Sequence, residues 1–388
     1  MHLELHDEQL SVRVDASQNE TGRNGYEHVD PNIAADRQMI RALAIISLAM
    51  GGVAALFAYE AGWIWPNRLT PTEMVDALSA RGGDPIGHRR NHAKGICFTG
   101  TFMANGAVSH LTIAPVLGAG RYPVIGRFAI ATGDPEAGDA TGRVRSMAIR
   151  IVAPDGQEWR TGMNSSPIFG VATPQAFYEQ TLAMRADPRT GQPHREAMQR
   201  FFASHPESAA FKHWAQSAPW TASFAEETYN GLNAFVFVNP VGSRHAVRWA
   251  MVPTAAATYV SHAELALLPQ DFLEQDLKRR LAAAPLKWHL VVTIAAPHDP
   301  TADATKAWPA EREHISAGTL EIDQVEDEVA GPCRDFNYDP LILPTGIEPS
   351  DDPLLPARSS TYINSFDRRT AEASQYVDRA AETRRPVP

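Results

Sequence analysis

Tyr362 stands four residues after Arg358 in the run Arg358-Ser359-Ser360-Thr361-Tyr362, and Arg369 follows seven residues later. A phenol with an ordinary pKa near 10 is a poor iron ligand at neutral pH. A cation held beside it favours the phenolate, an anionic oxygen ligand suited to oxidised iron. The same spacing on a helix is also a plain i, i+4 pair, worth only about 0.2–0.5 kcal/mol. The assignment therefore needs partners elsewhere in the chain. His92, in Arg89-Arg90-Asn91-His92-Ala93-Lys94-Gly95, has the one side chain whose ordinary titration lies near neutrality, which suits proton transfer. Asn164, in Gly162-Met163-Asn164-Ser165-Ser166-Pro167-Ile168-Phe169, offers an amide donor that stabilises developing charge without ionising. Taken singly, each is as readily a structural or surface residue.

Elements that must hold such residues apart and then together are legible along the chain. Of 388 residues, 44% are hydrophobic and 21% charged, enough for a substantial buried core. The net charge of −10 lacks the basic face that a nucleic-acid partner calls for. Cys97 and Cys333 show no metal-ligand spacing; pairing is open to them in an oxidising compartment, and two separate thiols is the simpler reading. Residues 1–36 are polar and aperiodic and read as a disordered tail. Residues 37–65 read as a transmembrane signal anchor: Arg37 and Arg41 flank an uncharged run from Ala42 to Tyr59, and Trp63 and Trp65 suit the far interface. That orientation places the remainder outside the cytoplasm, in the periplasm of a double-membraned host.

From residue 66 to about 380 the pattern is globular. Thr70 or Thr72 can cap a short helix running through Ala80, with Pro71 in its first turn. Strands are expected over 96–102, 108–116, 121–132, 145–153 and 158–163, then over 233–238, 245–252 and 286–296. Helices are expected over 174–202, 209–215 and 263–284. The reading is an α+β fold, a large antiparallel sheet or barrel with inserted helices. The clusters Glu311-Arg312-Glu313 and Glu326-Asp327-Glu328 read as solvated surface.

In their order along the chain these segments resemble the haem catalases. His92-Ala93-Lys94-Gly95 is similar to that family's distal-histidine segment, Asn164 with Pro167-Ile168-Phe169 to its distal-asparagine segment, and Gly346-Ile347-Glu348-Pro349-Ser350 to the run before its proximal motif. Arg145, Ala148 and Arg150 suit the strand between. The resemblance spans roughly Leu69 to Arg369. It implies a closed eight-stranded antiparallel barrel with a haem pocket and flanking helices. It implies haem b, with Tyr362 as axial iron ligand, Arg358 as its charge partner, and His92 and Asn164 as the distal pair. Arg89, Arg127 and Arg369 would then hold the haem propionates, and Phe177 would pack on the haem face.

Departures from the family pattern set further expectations. The family carries a serine two residues after the propionate arginine, hydrogen-bonded to the distal histidine; here that place is Ala129, so the imidazole is expected to lose an orienting partner. Asn91 and Ala131 replace two pocket valines, and Arg143 falls where the access channel carries an acidic residue. These changes resemble the small catalase-related peroxidases, which implies reduction of hydrogen peroxide or organic hydroperoxides by a small organic donor, with weak oxygen release. Three alternatives stay open: a true catalase, a hydroperoxide-rearranging haem enzyme, and a non-catalytic barrel binding haem or lipid. A monomer or homodimer is expected, and whether NADPH binds is left open.

Overall fold

The computed structural model describes residues 31–61, 63–64, 68–187 and 189–373. Most of the expected tail, Trp65 and everything beyond 373 lie outside the described residues. In chain order the elements are α1 (Pro31–Glu60), α2 (Pro71–Gly82), β1 (Gly95–Ala104), β2 (Gly120–Ile130), β3 (Arg145–Val152), β4 (Glu158–Asn164), α3 (Pro174–Ala183), α4 (Arg195–Ser204) and α5 (Ala209–Ser217). They continue with β5 (Trp220–Thr221), β6 (Tyr229–Asn230), β7 (Phe235–Val238), β8 (Arg244–Pro253), β9 (Tyr259–Val260), α6 (His262–Leu265), α7 (Phe272–Leu281), β10 (Leu286–Ile294), β11 (His314–Asp327), β12 (Ile347–Pro349) and α8 (Leu354–Ala373). Two compact units divide at Pro66/Asn67.

The first unit holds α1. From Arg37 to Glu60 this helix is long and apolar enough to cross a bilayer, and Leu48, Val53 and Phe57 stand exposed along it. An exposed apolar helix surface needs an apolar medium to cover it.

In the second unit, β1, β2, β3, β4, β6, β8, β10 and β11 pair in that cyclic order, and β10 pairs with both β8 and β11, which closes an eight-stranded antiparallel barrel. β7 and β12 extend it beyond β8. Alternation along the strands puts Phe98, Phe128, Met147, Ile149, Trp159 and Met163 inside, where Phe128 lies 4.8 Å from Phe98 and 5.2 Å from Phe224, centroid to centroid. Truncating one such ring to alanine typically costs about 3–5 kcal/mol. The opposite pleat faces outward and carries the residues of interest in register. Gly95 pairs with Ala129, Ala129 with Ser146, Ser146 with Asn164 and Asn164 with Asn230, a single row across five strands. A second row, one pleat along, runs Cys97, Arg127, Ala148, Gly162.

Helices close over these rows. Thr70 caps α2 in a full capping box with Glu73, Pro71 opens its first turn, and Gly83, at φ 77°, ends it in the left-handed conformation. Three expectations change. Residues 108–116 form turns and a short 3₁₀ helix (Pro115–Leu117) rather than a strand. The helix expected over 174–202 is two helices broken by a turn at Gly191 and Pro193, and that over 263–284 is two broken at Pro269. The longest strand, β11, was not expected at all. Cys97 and Cys333 are joined in a disulfide, correcting the reading of two separate thiols.

Candidate active site

Between the two outward rows and helices α2, α3 and α8 lies a cavity of about 220 Å³, several times the roughly 30 Å³ share of one water. His92, Asn164, Arg89, Arg127, Arg358, Tyr362, Arg369 and Phe177, every site residue expected from sequence, line this one cavity. Phe177, on α3, packs against Phe169 with ring centroids 5.6 Å apart.

Tyr362 and Arg358 project from successive turns of α8, with the guanidinium carbon 5.8 Å from the phenol ring centroid. Both reach β4 at Gly162, where an added Cβ would come within 3.5 Å of the Tyr362 hydroxyl and 3.6 Å of an Arg358 nitrogen. Sequence reasoning missed what holds Arg358. It donates to the Asn233 side-chain oxygen, and the Asn233 amide donates to Asp352 at 2.7 Å. Asp352 is buried and also accepts the Leu354 backbone N–H at 2.9 Å, so the start of α8 fixes the relay. Burial pushes the Asp352 carboxyl up, and the hydrogen bond from Asn233 opposes that push.

His92 occupies the left-handed region at φ 55°, costly for a residue with a Cβ and held here by its surroundings. The Ala93 N–H donates to the Thr132 carbonyl at 2.8 Å. Burial drives the imidazole pKa down to about 3, and Arg127, Arg81, Arg358 and Arg89 add to the shift, so the ring is neutral near pH 7. The orienting partner expected to be lost at Ala129 is present from the neighbouring strand: Ser146 Oγ lies 3.0 Å from His92 Nδ1. Asn91 lines the cavity and accepts a hydrogen bond from Arg81 at 2.8 Å. Ala131 and Arg143 are not among its lining residues, contrary to expectation. Arg143 lies between the Trp214 and Trp220 rings, 4.3 and 4.6 Å from their centroids, and donates to the carbonyls of Ala215 and Ala218. Cation–π contact and carbonyl acceptors satisfy it away from the cavity.

At the third side of the cavity Arg89, Arg127 and Arg369 converge. Arg127 crosses from β2 over Gly95, where a Cβ would stand 2.6 Å from its guanidinium carbon and 2.3 Å from the Phe128 carbonyl oxygen, so this place in the His-Ala-Lys-Gly run admits only glycine. Arg89 donates to the carbonyls of Cys333 (3.0 Å) and Phe336 (3.1 Å), and Arg369 to that of Arg334. Glu328 bridges Arg89 and Arg127, so one member of the cluster read as solvated surface belongs to the site. Among the described residues, no other carboxylate forms a salt bridge with any of these three arginines. Three cations, Arg127 and Arg369 buried and Arg89 half-buried, against one carboxylate leave two positive charges over. Burial and mutual repulsion push Arg89 down to about 9 and Arg127 well below its ordinary value. The Tyr338 hydroxyl and Arg127 Nε are buried beside them with no hydrogen-bond partner among the described residues. An excess of two cations and two idle donors fits a group that brings two carboxylates, as haem does with its propionates.

Comparison with known proteins agrees with this geometry. The Catalase family profile matches residues 60–379. A catalase-related peroxidase of Synechococcus elongatus is 35% identical over 84% of this chain and 96% of its own length. One of Mycolicibacterium paratuberculosis is 34% identical over 81% and 97%. Among solved structures, catalase A from Saccharomyces cerevisiae superposes with a TM-score of 0.66 at 16% identity, and a bacterial catalase with 0.66 at 21%. The chain spans 64% and 62% of the length of those two, and at such identities they show the fold alone. A barrel of this closure, its outward rows and relatives matched over nearly their whole length lead to one conclusion: the chain belongs to the catalase family.

Proposed function

We propose that this protein is a haem-dependent peroxidase that reduces hydrogen peroxide or an organic hydroperoxide with electrons from a small organic donor. The observation that carries the reading is one cavity lined by a neutral, hydrogen-bonded His92 and by Asn164, with Tyr362 and Arg358 meeting at Gly162. Both relatives named above are called catalase-related peroxidases. Haem b is the group proposed; when bound it supplies redox-active iron and the electrons for O–O cleavage. Tyr362 would hold its iron, and Arg358, held by Asn233 and Asp352, would favour the phenolate. Arg89, Arg127 and Arg369 would neutralise its carboxylates.

The chain's own groups move the proton. His92, being neutral, takes a proton from one peroxide oxygen and returns it to the other, which leaves as water or alcohol. Asn164 donates its amide to the separating oxygen, stabilising the polarised O–O bond without adding charge. Phe169 and Phe177 keep that end of the cavity apolar, which strengthens both interactions. We further propose that α1 tethers the second unit to a membrane on its extracytoplasmic side, where the Cys97–Cys333 bridge would persist.

The test is an absorption spectrum of the purified full chain before and after stoichiometric peroxide, with donor oxidation and oxygen release followed in parallel. A Soret band, its change on adding peroxide, and donor oxidation outpacing oxygen release are expected. Tyr362→Phe should lose the band or shift it; an unchanged spectrum would remove Tyr362 as ligand. Sustained oxygen evolution at rates above donor oxidation would replace the peroxidase with a catalase.

A further inference from the structure

We infer that Ser146 is the positioning residue that decides which nitrogen of the His92 ring carries the hydrogen, and that β3 here supplies a hydroxyl the family pattern places on β2. The inference rests on the reading of His92 as the proton carrier. Ser146 Oγ has two polar neighbours in this region: His92 Nδ1 at 3.0 Å and the Ala129 carbonyl oxygen at 3.4 Å. A hydroxyl has one hydrogen to give, and a carbonyl oxygen can only accept. With that hydrogen directed to Ala129, the serine lone pair accepts Nδ1–H. The ring then carries its hydrogen on Nδ1 and keeps a free lone pair on Nε2, the form able to take a proton from a substrate. Were the hydroxyl to donate to Nδ1 instead, Nε2 would carry hydrogen and the ring would begin as an acid.

Two further observations make the choice consequential. Burial and the surrounding arginines keep the imidazole neutral, so the placement of its single hydrogen is the remaining variable. His92 also sits at positive φ, outside any strand, and Ser146 supplies the side-chain hydrogen bond that ties its ring to the sheet. The pairing register explains how β3 can serve. Ala129 and Ser146 are directly opposed in an antiparallel ladder, and directly opposed side chains lie about 4.5–5.5 Å apart at Cβ. A hydroxyl on either strand can therefore reach one ring standing over the row. Asn164 is the next residue on that row, opposite Ser146, and both it and His92 line the cavity.

The experiment uses the full chain labelled with ¹⁵N-histidine, together with stopped-flow mixing of the haem-loaded protein with hydrogen peroxide. Wild type should show His92 in the Nδ1–H form. Ser146→Ala should show a mixture of forms, and its reaction with peroxide should slow roughly 10- to 100-fold, the usual range for losing an outer-shell partner. Haem content and the KM for the donor should stay unchanged. Ser146→Thr should behave as wild type, and adding Ala129→Ser to Ser146→Ala should recover most of the lost rate, with the Nδ1–H form. An unaltered tautomer and rate in Ser146→Ala would overturn the assignment, as would a double variant as slow as the single one. Should Ser146→Ala fail to fold, the double variant and Ser146→Thr decide between the same outcomes. Absence of a Soret band in wild type would sink the haem reading alone, because the tautomer is measurable without haem.

Discussion

At the scale of single residues, types and spacing already pointed to Tyr362, His92 and Asn164, because few side chains can ligate iron, carry a proton or donate without charge. What spacing did not show were the groups that hold them. Ser146 approaches the site from β3, and Asn233, Asp352, Glu328 and Tyr338 from loops, with no fixed distance in sequence to the residues they touch. Glu328 was concealed by its acidic neighbours, which look like solvated surface. The depressed pKa of His92 carries a stability consequence in the haem-free protein. Its folded value of about 3 lies below the ordinary 6.5, so between these limits the unfolded chain binds more protons. The contribution is intact above pH 6.5 and is lost as pH falls toward 3. Urea midpoints measured at pH 7 and pH 5 should therefore differ less in His92→Gln than in wild type; an equal difference in both would contradict the shift.

At the scale of elements, runs with clean alternation were found close to their true limits, as in β2, β3 and β4. β11 escaped because its alternation is interrupted. Its register shifts against β1 between Thr99 and Gly100, and against β10 between Leu290 and Val291. Its second half carries Glu321, Asp323, Glu326 and Asp327, which mask a thin buried face of Leu320 and Ile322. The segment after β11 has more to do than link elements. From 328 to 338 it presents the Glu328 carboxylate, three carbonyls and the Tyr338 hydroxyl to the arginine cluster, and the Cys97–Cys333 bridge fastens it to β1. The bridge spans a separation of 236 residues, for which chain-entropy reasoning gives about 5 kcal/mol. Cys333→Ser should lower the melting temperature and should also release haem to an acceptor protein several-fold faster, because the loosened carbonyls orient Arg89 and Arg369. A lower melting temperature with unchanged haem release would restrict the bridge to a role in stability.

At the scale of the whole molecule, the chain divides into two compact units at Pro66/Asn67. All the site residues lie in the second unit. A chain beginning at Asn67 should therefore keep its Soret band and donor oxidation while leaving the membrane fraction, into which the full chain should partition. Loss of haem binding on that truncation would show that the first unit contributes to the site. Closure of the barrel was legible only through the family resemblance, because β10 meets β8 and β11 through pairings that no local pattern announces.

The row from Gly95 through Ala129, Ser146 and Asn164 to Asn230 bears on how such proteins diverge. A sheet addresses each place in two directions, along the chain and across it. A hydroxyl abandoned on one strand can be replaced from the next by a path whose midpoint carries both, so no ancestor on that path need lack it. Searches that count positions along the chain would score this protein as having discarded the contact. Counted across the strands, the contact has moved sideways by one.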